Sequence, residues 1–479
     1  MLNFKVPIFK DICGAKKIYF IGICGTAMSS LALMMKEMGY EVYGSDEGVY
    51  PPVSEFLREK GIIPFVPYSK ENLKVHPDLV VIGNSVGRGN EEIEYVLDNK
   101  INFISMAELI GRLAFLSKET IVVSGTHGKT TTSSMMAWLL EYLDSNPSFI
   151  IGGIVRNFKS SYKVGGGDLF VLEGDEYDTS FFDKRPKFMH YFPDYLILNP
   201  VEFDHADIYQ NLDIIIKEFK NLVKIVPTRG FIAYYGDSEI CRDIVGESLS
   251  DTESFGLSSE NDWYPEDIIF KNGKIEYRLF YRKKFIGVIN LNMFGYHNVL
   301  NSLAAISILN RLGYSFDGIK GGFARFLGVK RRMELIYQKN GVYIYEDFAH
   351  HPTAVYETLK GVRESFPNKK IIAIFEPRSW SCRLNVHQGK FVESFKYANV
   401  AIFYKVYRGD KIPVEKRFKP DIEVEHLRKS GKESYYFNTL DQILDFLKKE
   451  EKNRYVAVIM SNGGFDGLYK KIKEAFNYN

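Results

Sequence analysis

Apolar residues in the first third of the chain fall into short runs separated by stretches with helical spacing. Lys17–Ile23 reads as an apolar strand, Met28–Met38 as a helix and Glu41–Ser45 as a second strand, with Leu79–Ile82 and Asn102–Ile104 as further buried strands. That rhythm predicts a parallel sheet with helices on both faces. A polar stretch ending at Lys118 precedes a fresh strand, Thr120–Ser124, and sets a domain limit. In the middle third, Asp168–Leu172 and Tyr195–Leu198 each run into acidic or His-containing sequence, where active-site loops of α/β sheets lie. From Trp263 to Phe294 the pattern becomes short alternating strands around an Asn272-Gly273 turn, which predicts an antiparallel appendage. After a second limit near Leu327 the strand–helix alternation returns, with Val342–Tyr345, Lys370–Phe375, Val400–Tyr404 and Tyr455–Met460 as strands. The reading is an α/β protein of three domains, residues 1–118, 119–327 and 328–479.

Composition narrows the class without naming a function. A length of 479 residues suits several domains, and 45% apolar with 25% charged residues is ordinary globular usage, which excludes general disorder and fibrous classes. The balance of 62 basic and 60 acidic residues leaves a charge of +2 and no global field for nucleic acid or anionic membrane, so an anionic ligand has to be gripped locally. No stretch resembles a signal peptide and charged residues interrupt every apolar run long enough to matter, so the expectation is a cytoplasmic protein with no membrane insertion. Cys13, Cys24, Cys241 and Cys382 are scattered without CxxC spacing, as reduced thiols rather than a zinc site or disulfide framework.

The strongest chemical signal is Gly125-Thr126-His127-Gly128-Lys129-Thr130-Thr131, set between an apolar strand and a helix over Ser133–Leu143. Glycines let backbone N–H groups approach phosphate oxygens, the helix N-terminus favours negative charge, Lys129 bridges phosphates and the Thr130 hydroxyl suits magnesium. Val123 occupies the position of the first glycine of the common P-loop, so this is a shorter variant. Downstream, Glu173-Gly174-Asp175-Glu176 and Asn199-Pro200-Val201-Glu202-Phe203-Asp204-His205 each follow a strand. Magnesium wants oxygen ligands beside phosphates, and Glu173 and His205 are the further ligand candidates, although acidic loops also serve simply as helix caps.

A second glycine loop, Gly22-Ile23-Cys24-Gly25-Thr26-Ala27-Met28, follows the first strand, and Asp46 ends the next strand about 20 residues on, as in a dinucleotide fold. It departs from G-x-G-x-x-G at Cys24 and Ala27, and it serves either an NAD-dependent oxidoreductase or a UDP pyrophosphate, with Asp46 on the uridine end. Further along, His297, Asn298 and Asn301 open a helix with side chains suited to an adenine edge, or act as plain caps. Lys330-Arg331-Arg332 and Asp347-Phe348-Ala349-His350-His351-Pro352 add cations and imidazoles; adjacent histidines point in different directions and do not share an ion.

Taken in order, Gly-Thr-His-Gly-Lys-Thr-Thr, Glu-x-Asp-Glu, Asp-His-x-Asp, Gly-x-His-Asn-x-x-Asn and Asp-Phe-Ala-His-His-Pro-Thr resemble the Mur ligases of peptidoglycan synthesis over essentially the whole chain. The members acting on UDP-N-acetylmuramate are nearest, adding either L-alanine or a preformed tripeptide. Gly22–Thr26, Gly44–Pro52, Glu176–Arg185, Glu376-Pro377-Arg378-Ser379 and Met460–Phe465 are similar to the tripeptide-adding kind. The resemblance implies a Rossmann-like first domain, a P-loop second domain and a Rossmann-like third, with ATP and Mg2+ activating the muramoyl carboxylate toward L-alanyl-γ-D-glutamyl-meso-diaminopimelate. It also implies roles: Lys129, His205, Arg332 and His350 in catalysis; Thr130, Glu173 and His205 on magnesium; the Gly125–Thr131 loop, His297, Asn298, Asn301, Arg332 and Asp347 on ATP. Gly22, Cys24, Gly25, Thr26, Ala27, Met28, Asp46, Asn84 and Ser85 would take the UDP-sugar, and His351, Arg378 and Ser379 the peptide. Lys220 lies where several family members carry a carbamylated lysine.

Overall fold

A computed structural model of the chain describes residues 14–49, 53–117, 119–202, 209, 211–271, 273–450 and 454–477. Among them are three sheets. The first has four parallel strands: Glu41–Ser45, Lys17–Ile21, Leu79–Ile82 and Phe103–Ser105, in that spatial order. Alternate residues of Lys17–Ile21 face two separate apolar clusters, Ile18 and Phe20 one way and Tyr19 and Ile21 the other. Burial on both faces is why the sequence shows a continuous apolar run here. The chain order reverses between Lys17–Ile21 and Leu79–Ile82, so a crevice is expected between the ends of those strands.

The second sheet has ten strands. At its centre Tyr195–Leu198, Glu119–Ser124 and Leu169–Glu173 lie side by side and parallel, with Ser148–Val155 beyond them. Phe231–Tyr235 and Asp251–Phe255 continue the other edge in parallel. Three consecutive strands, Trp263–Lys271, Lys274–Tyr281 and Lys284–Leu291, stand next to one another at its end, where the sequence predicts an appendage; Asn272 of its turn lies outside the described residues.

The third sheet runs, in spatial order, Glu334–Lys339, Val342–Asp347, Val456–Met460, Ile371–Phe375, Val400–Tyr404 and Glu433–Phe437, all parallel except the first, which is antiparallel. Ile372, Ile374 and Ile402 pack into one cluster and Ala373, Phe375 and Phe403 into the other, so helices cover both faces. By contact the chain forms two compact units: one holds the first sheet and most of the second, the other the third sheet together with residues 267–277 and 289–299.

Observed strands match the predicted ones within a residue or two, and the Lys129–Tyr142 helix starts four residues before the predicted Ser133. Gly128, at φ +80°, is its N-cap and has no side chain to cap it, so the helix opens directly on the loop. No helix among the described residues is long and apolar enough to cross a membrane.

Candidate active site

Lys129 opens the Lys129–Tyr142 helix, and the elements around it are neighbours in the second sheet. Its loop follows Glu119–Ser124, Glu173 ends the strand on one side, and Asn199 follows the strand on the other. The Lys129 Nζ donates to the carbonyl oxygens of Gly125 at 2.7 Å and Thr126 at 3.2 Å and to Glu176 Oε1 at 2.8 Å. Burial pulls the Lys129 ammonium toward neutrality, but Glu176, Asp175 and Glu173 outweigh that and hold its pKa above the ordinary lysine range. Asp175 in turn is paired with Lys187 at 2.6 Å; burial raises its pKa, and Lys187 and Lys129 reverse the sign.

The Thr130 hydroxyl donates to Glu173 Oε1 at 2.8 Å, while Glu173 Oε2 accepts from the backbone N–H of Gly152 at 2.7 Å. Burial pushes the Glu173 carboxyl up, against the Gly152 N–H, Thr130 and Lys129. A hydroxyl and a carboxylate oxygen in contact, one residue from Lys129, are the hard donors that Mg2+ takes when phosphates and water complete its shell. No cluster of three metal-ligating side chains exists among the described residues, and none is needed for that mode of binding. His205, the other predicted ligand, lies outside the described residues with the rest of 203–208.

The loop's glycines are set by close approach. A Cβ on Gly128 would stand 2.5 Å from Asn301 Oδ1 and 2.8 Å from Asn199 Nδ2, and one on Gly125, at φ +125°, would stand 2.8 Å from Asn199. Gly128→Ala is therefore expected to cost about 1–3 kcal/mol, read by thermal melts. Asn199 is a residue sequence reasoning quoted but gave no role: it is buried, its amide donates to Thr132, and its backbone N–H ties to Ser124. Thr126 pairs with the same loop through Pro200 O and Glu202, and His127 Nε2 lies 3.2 Å from Glu202. Thr131 is buried in the first turn.

At the crevice of the first sheet, the N–H groups of Gly22 and Ile23 donate to Ser45 O. The two Asp46 oxygens accept from the N–H groups of Cys24 at 2.9 Å and Gly48 at 2.8 Å, so Asp46 holds this glycine loop in place. Gly25, Thr26 and Ser85 are exposed, with Ala27 and Asn84 half-buried and Met28 buried. Asn84 and Ser85 follow Leu79–Ile82, on the other side of the crevice.

Other predicted residues have local partners. On the helix Tyr296–Arg311, Asn298 Nδ2 donates to Phe294 O at 2.7 Å, which closes the Gly295 turn as a cap would. In the second unit Asp347 is buried and accepts from Met333 N, Ala349 N and Thr358 Oγ1. The basic run splits: Arg331 is paired with Glu346 at 2.6 Å, whereas Arg332 is exposed, with its guanidinium 5.2 Å from the Phe348 ring. His350 Nδ1 donates to Phe348 O at 3.0 Å. His351 and Ser379 cap the helices Pro352–Ser365 and Trp380–Arg383. The Lys220 ammonium is paired with Asp243 and Glu247, both of which raise its pKa.

The second unit also holds a cavity of about 600 Å³ beyond the ends of Ile371–Phe375 and Val400–Tyr404, bounded by Glu376, Lys405, Tyr407, Arg408, Arg417 and Asp466. Arg378 stacks 3.7 Å from the Tyr407 ring centre, and Arg408 lies 5.3 Å from it. Burial lowers the pKa of Arg383, and the charges of Arg408 and Arg378 push it the same way against Tyr407. Two guanidiniums thus lie against one tyrosine, and Arg383, 5.0 Å from the Trp380 ring, is near enough to feel their charge. Only Arg378 was found from sequence, because Arg383 and Arg408 are lone cations with no motif around them.

Residues 17–117 match the model of the Mur ligase family catalytic domain, 123–309 the Mur ligase middle domain, and 331–463 the Mur ligase glutamate ligase domain. The chain belongs to the Mur ligase family and is an amide-bond-forming ligase. It is 36% identical over 462 residues, 95% of this chain and 97% of the other, to the UDP-N-acetylmuramate–L-alanyl-γ-D-glutamyl-meso-2,6-diaminoheptandioate ligase of Escherichia coli. A murein peptide ligase from Psychrobacter arcticus superposes with a TM-score of 0.70 at 32% identity, covering 97% of this chain and 99% of that one. A UDP-N-acetylmuramate–alanine ligase from Thermotoga maritima does so with a TM-score of 0.79 at 26% identity, covering 96% and 99%. The oxidoreductase reading of the Gly22 loop is thereby overturned, since the domain carrying it is a Mur ligase domain.

Proposed function

We propose that this ligase joins UDP-N-acetylmuramate to the tripeptide L-alanyl-γ-D-glutamyl-meso-diaminopimelate at the expense of ATP, in the cytoplasm. The observation that carries the reaction is the pairing of Lys129 with Glu176 and of Thr130 with Glu173 at one helix start; what favours the tripeptide is full-length likeness at 36% identity to a ligase named for it. We take residues 1–118, 119–327 and 328–479 as the domains for sugar, ATP and peptide.

In this reading a muramoyl carboxylate oxygen attacks the γ-phosphorus of ATP and ADP leaves. The peptide amine then attacks the acyl carbon, and phosphate departs with the former carboxylate oxygen. Lys129 neutralises phosphoryl oxygens and the amides of the uncapped helix start bind them. Thr130 and Glu173, with His205, would hold Mg2+, which when bound supplies positive charge to the phosphates. Asn301, His297, Asn298 and Asp347 serve the nucleoside, Arg332 the phosphoryl charge, and His350 the incoming amine. The Gly22–Met28 loop, Asp46, Asn84 and Ser85 take the UDP-sugar. His351, Arg378 and Ser379 serve the peptide, joined by Arg383 and Arg408, whose guanidiniums suit its carboxylates.

Arg408→Gln is expected to raise the KM for tripeptide about tenfold or more and leave the KM for ATP within about twofold, since a charge-assisted hydrogen bond is lost only to the peptide. The reading as a whole is tested by ADP formation with UDP-N-acetylmuramate and either tripeptide or L-alanine. Faster turnover with tripeptide supports it; equal or faster turnover with L-alanine overturns the substrate, and no ADP with either overturns the reaction.

A further inference from the structure

Glu92 has no place in the motifs above, yet it is fully buried, in the first turn of the helix Glu91–Asp98. Its Oε1 accepts from Tyr19 OH at 3.0 Å, Asn72 Nδ2 at 2.8 Å and the backbone N–H of Ser69 at 3.1 Å, and its Oε2 accepts from Ser45 Oγ at 2.5 Å. All four are neutral donors. A fully buried acidic side chain bonded to neutral groups among the described residues is a costly choice where apolar packing would suffice, and a hub of this kind specifies one arrangement of whatever it joins.

What it joins is the rim of the crevice in the first sheet. Ser45 is the last residue of Glu41–Ser45, and its carbonyl takes both the Gly22 and Ile23 N–H groups of the glycine loop. The next residue, Asp46, holds Cys24 N–H. Ser69 and Asn72 belong to the segment that follows Phe65, whose backbone exchanges hydrogen bonds with Gly44 and Asp46; Asn72 also donates to Pro67 O. Tyr19 lies in the strand that leads into the glycine loop, and burial together with the charge of Glu92 pushes its phenol well above the usual range, which keeps it a donor. The loop's remaining amides can meet a pyrophosphate only if Ser45 and Asp46 stay in place.

We propose that Glu92 is a positioning residue for the UDP-sugar: through Ser45 it fixes the register of the Gly22–Gly25 loop, and so sets affinity for the sugar nucleotide without touching it. The inference rests on the reading of that loop as the UDP-sugar site. Two of its partners separate positioning from support. Ser45 leads to the loop, whereas Tyr19 reaches Glu92 from the middle of a strand.

The test compares Glu92→Gln, Ser45→Ala and Tyr19→Phe in the full chain, by calorimetric titration with UDP and with UDP-N-acetylmuramate, steady-state kinetics and thermal melts. Glutamine keeps the shape but turns one acceptor into a donor facing Ser45. Glu92→Gln and Ser45→Ala are expected to weaken UDP binding and raise the KM for the UDP-sugar about tenfold, with kcat and the KM for ATP within about twofold. Tyr19→Phe is expected to lower Tm while UDP affinity stays within about twofold of wild type. If Glu92→Gln and Ser45→Ala lower Tm but bind UDP as wild type does, or if Tyr19→Phe weakens UDP as much as they do, Glu92 is only structural and the proposal fails. If wild type itself binds neither UDP nor the UDP-sugar, the underlying reading of the loop fails instead.

Discussion

Lys129→Ala is expected to lower ADP formation by about 10³-fold or more, because it removes the charge placed against the phosphoryl oxygens in a site where few other donors replace it. The same substitution strips Glu176 of its cation. Both side chains are largely enclosed, at 13% and 3% exposure. Breaking such a pair from one side costs about 3–5 kcal/mol, since a buried carboxylate is left behind. A loss of activity in this variant is therefore ambiguous by itself. Adding Glu176→Gln resolves it: the double variant is expected to recover most of the lost Tm and none of the activity. Binding of UDP-sugar, which the proposed function assigns to the first sheet, is expected to stay within about twofold in the double variant by the additivity of distant sites.

Glu173→Gln is the second large effect, and its signs differ. The glutamine keeps the Gly152 N–H bond and the contact with Thr130 but loses the charge that a magnesium ion requires. Turnover is expected to fall about 10²- to 10³-fold and to be restored only in part by raising Mg2+. Stability goes the other way. Burial already disfavours the ionised Glu173 in the folded chain, raising its pKa, so a neutral replacement removes a desolvation cost and Tm is expected to hold or rise. A Tm that falls as far as that of Lys129→Ala would mean that Glu173 is a structural ion-pair partner.

The glycine loop at Lys129 was legible because its signals are local. Gly125, Gly128, Lys129 and Thr130 sit within one turn of chain, and the glycines declare the backbone geometry that the structure shows. Glu173 was legible for a related reason: it ends an apolar run, and parallel sheets gather the ends of their strands. Which strands are neighbours was not legible, because pairing is long-range. Several strands escaped the pattern altogether. Ser148–Val155 is broken by Gly152 and Gly153, and Glu334–Lys339 and Glu433–Phe437 lie at the two edges of their sheet, where solvent-facing positions dilute the apolar signal.

The hidden parts of the site share a cause. Glu92 stands among Glu91 and Glu94 at a helix start, where acidic residues ordinarily complement the helix dipole, and only the fold buries one of them. Glu176 was visible in its motif but not as the partner of Lys129, a pairing across two strands. Arg408 reaches Tyr407 beside Arg378, which lies 30 positions earlier in the sequence. Conversely, His351 and Ser379 drew attention through their motifs, yet each has a cap to make, and Asn298 closes its own turn.

The central claim is that the Lys129 loop spends ATP on activating a carboxylate. Isotope transfer tests it most directly. UDP-N-acetylmuramate labelled with ¹⁸O in its muramoyl carboxylate is turned over with ATP and tripeptide, and the inorganic phosphate released is analysed by mass spectrometry. The account predicts that ¹⁸O moves from the sugar into the phosphate in step with amide formation. Amide formation with unlabelled phosphate would contradict it.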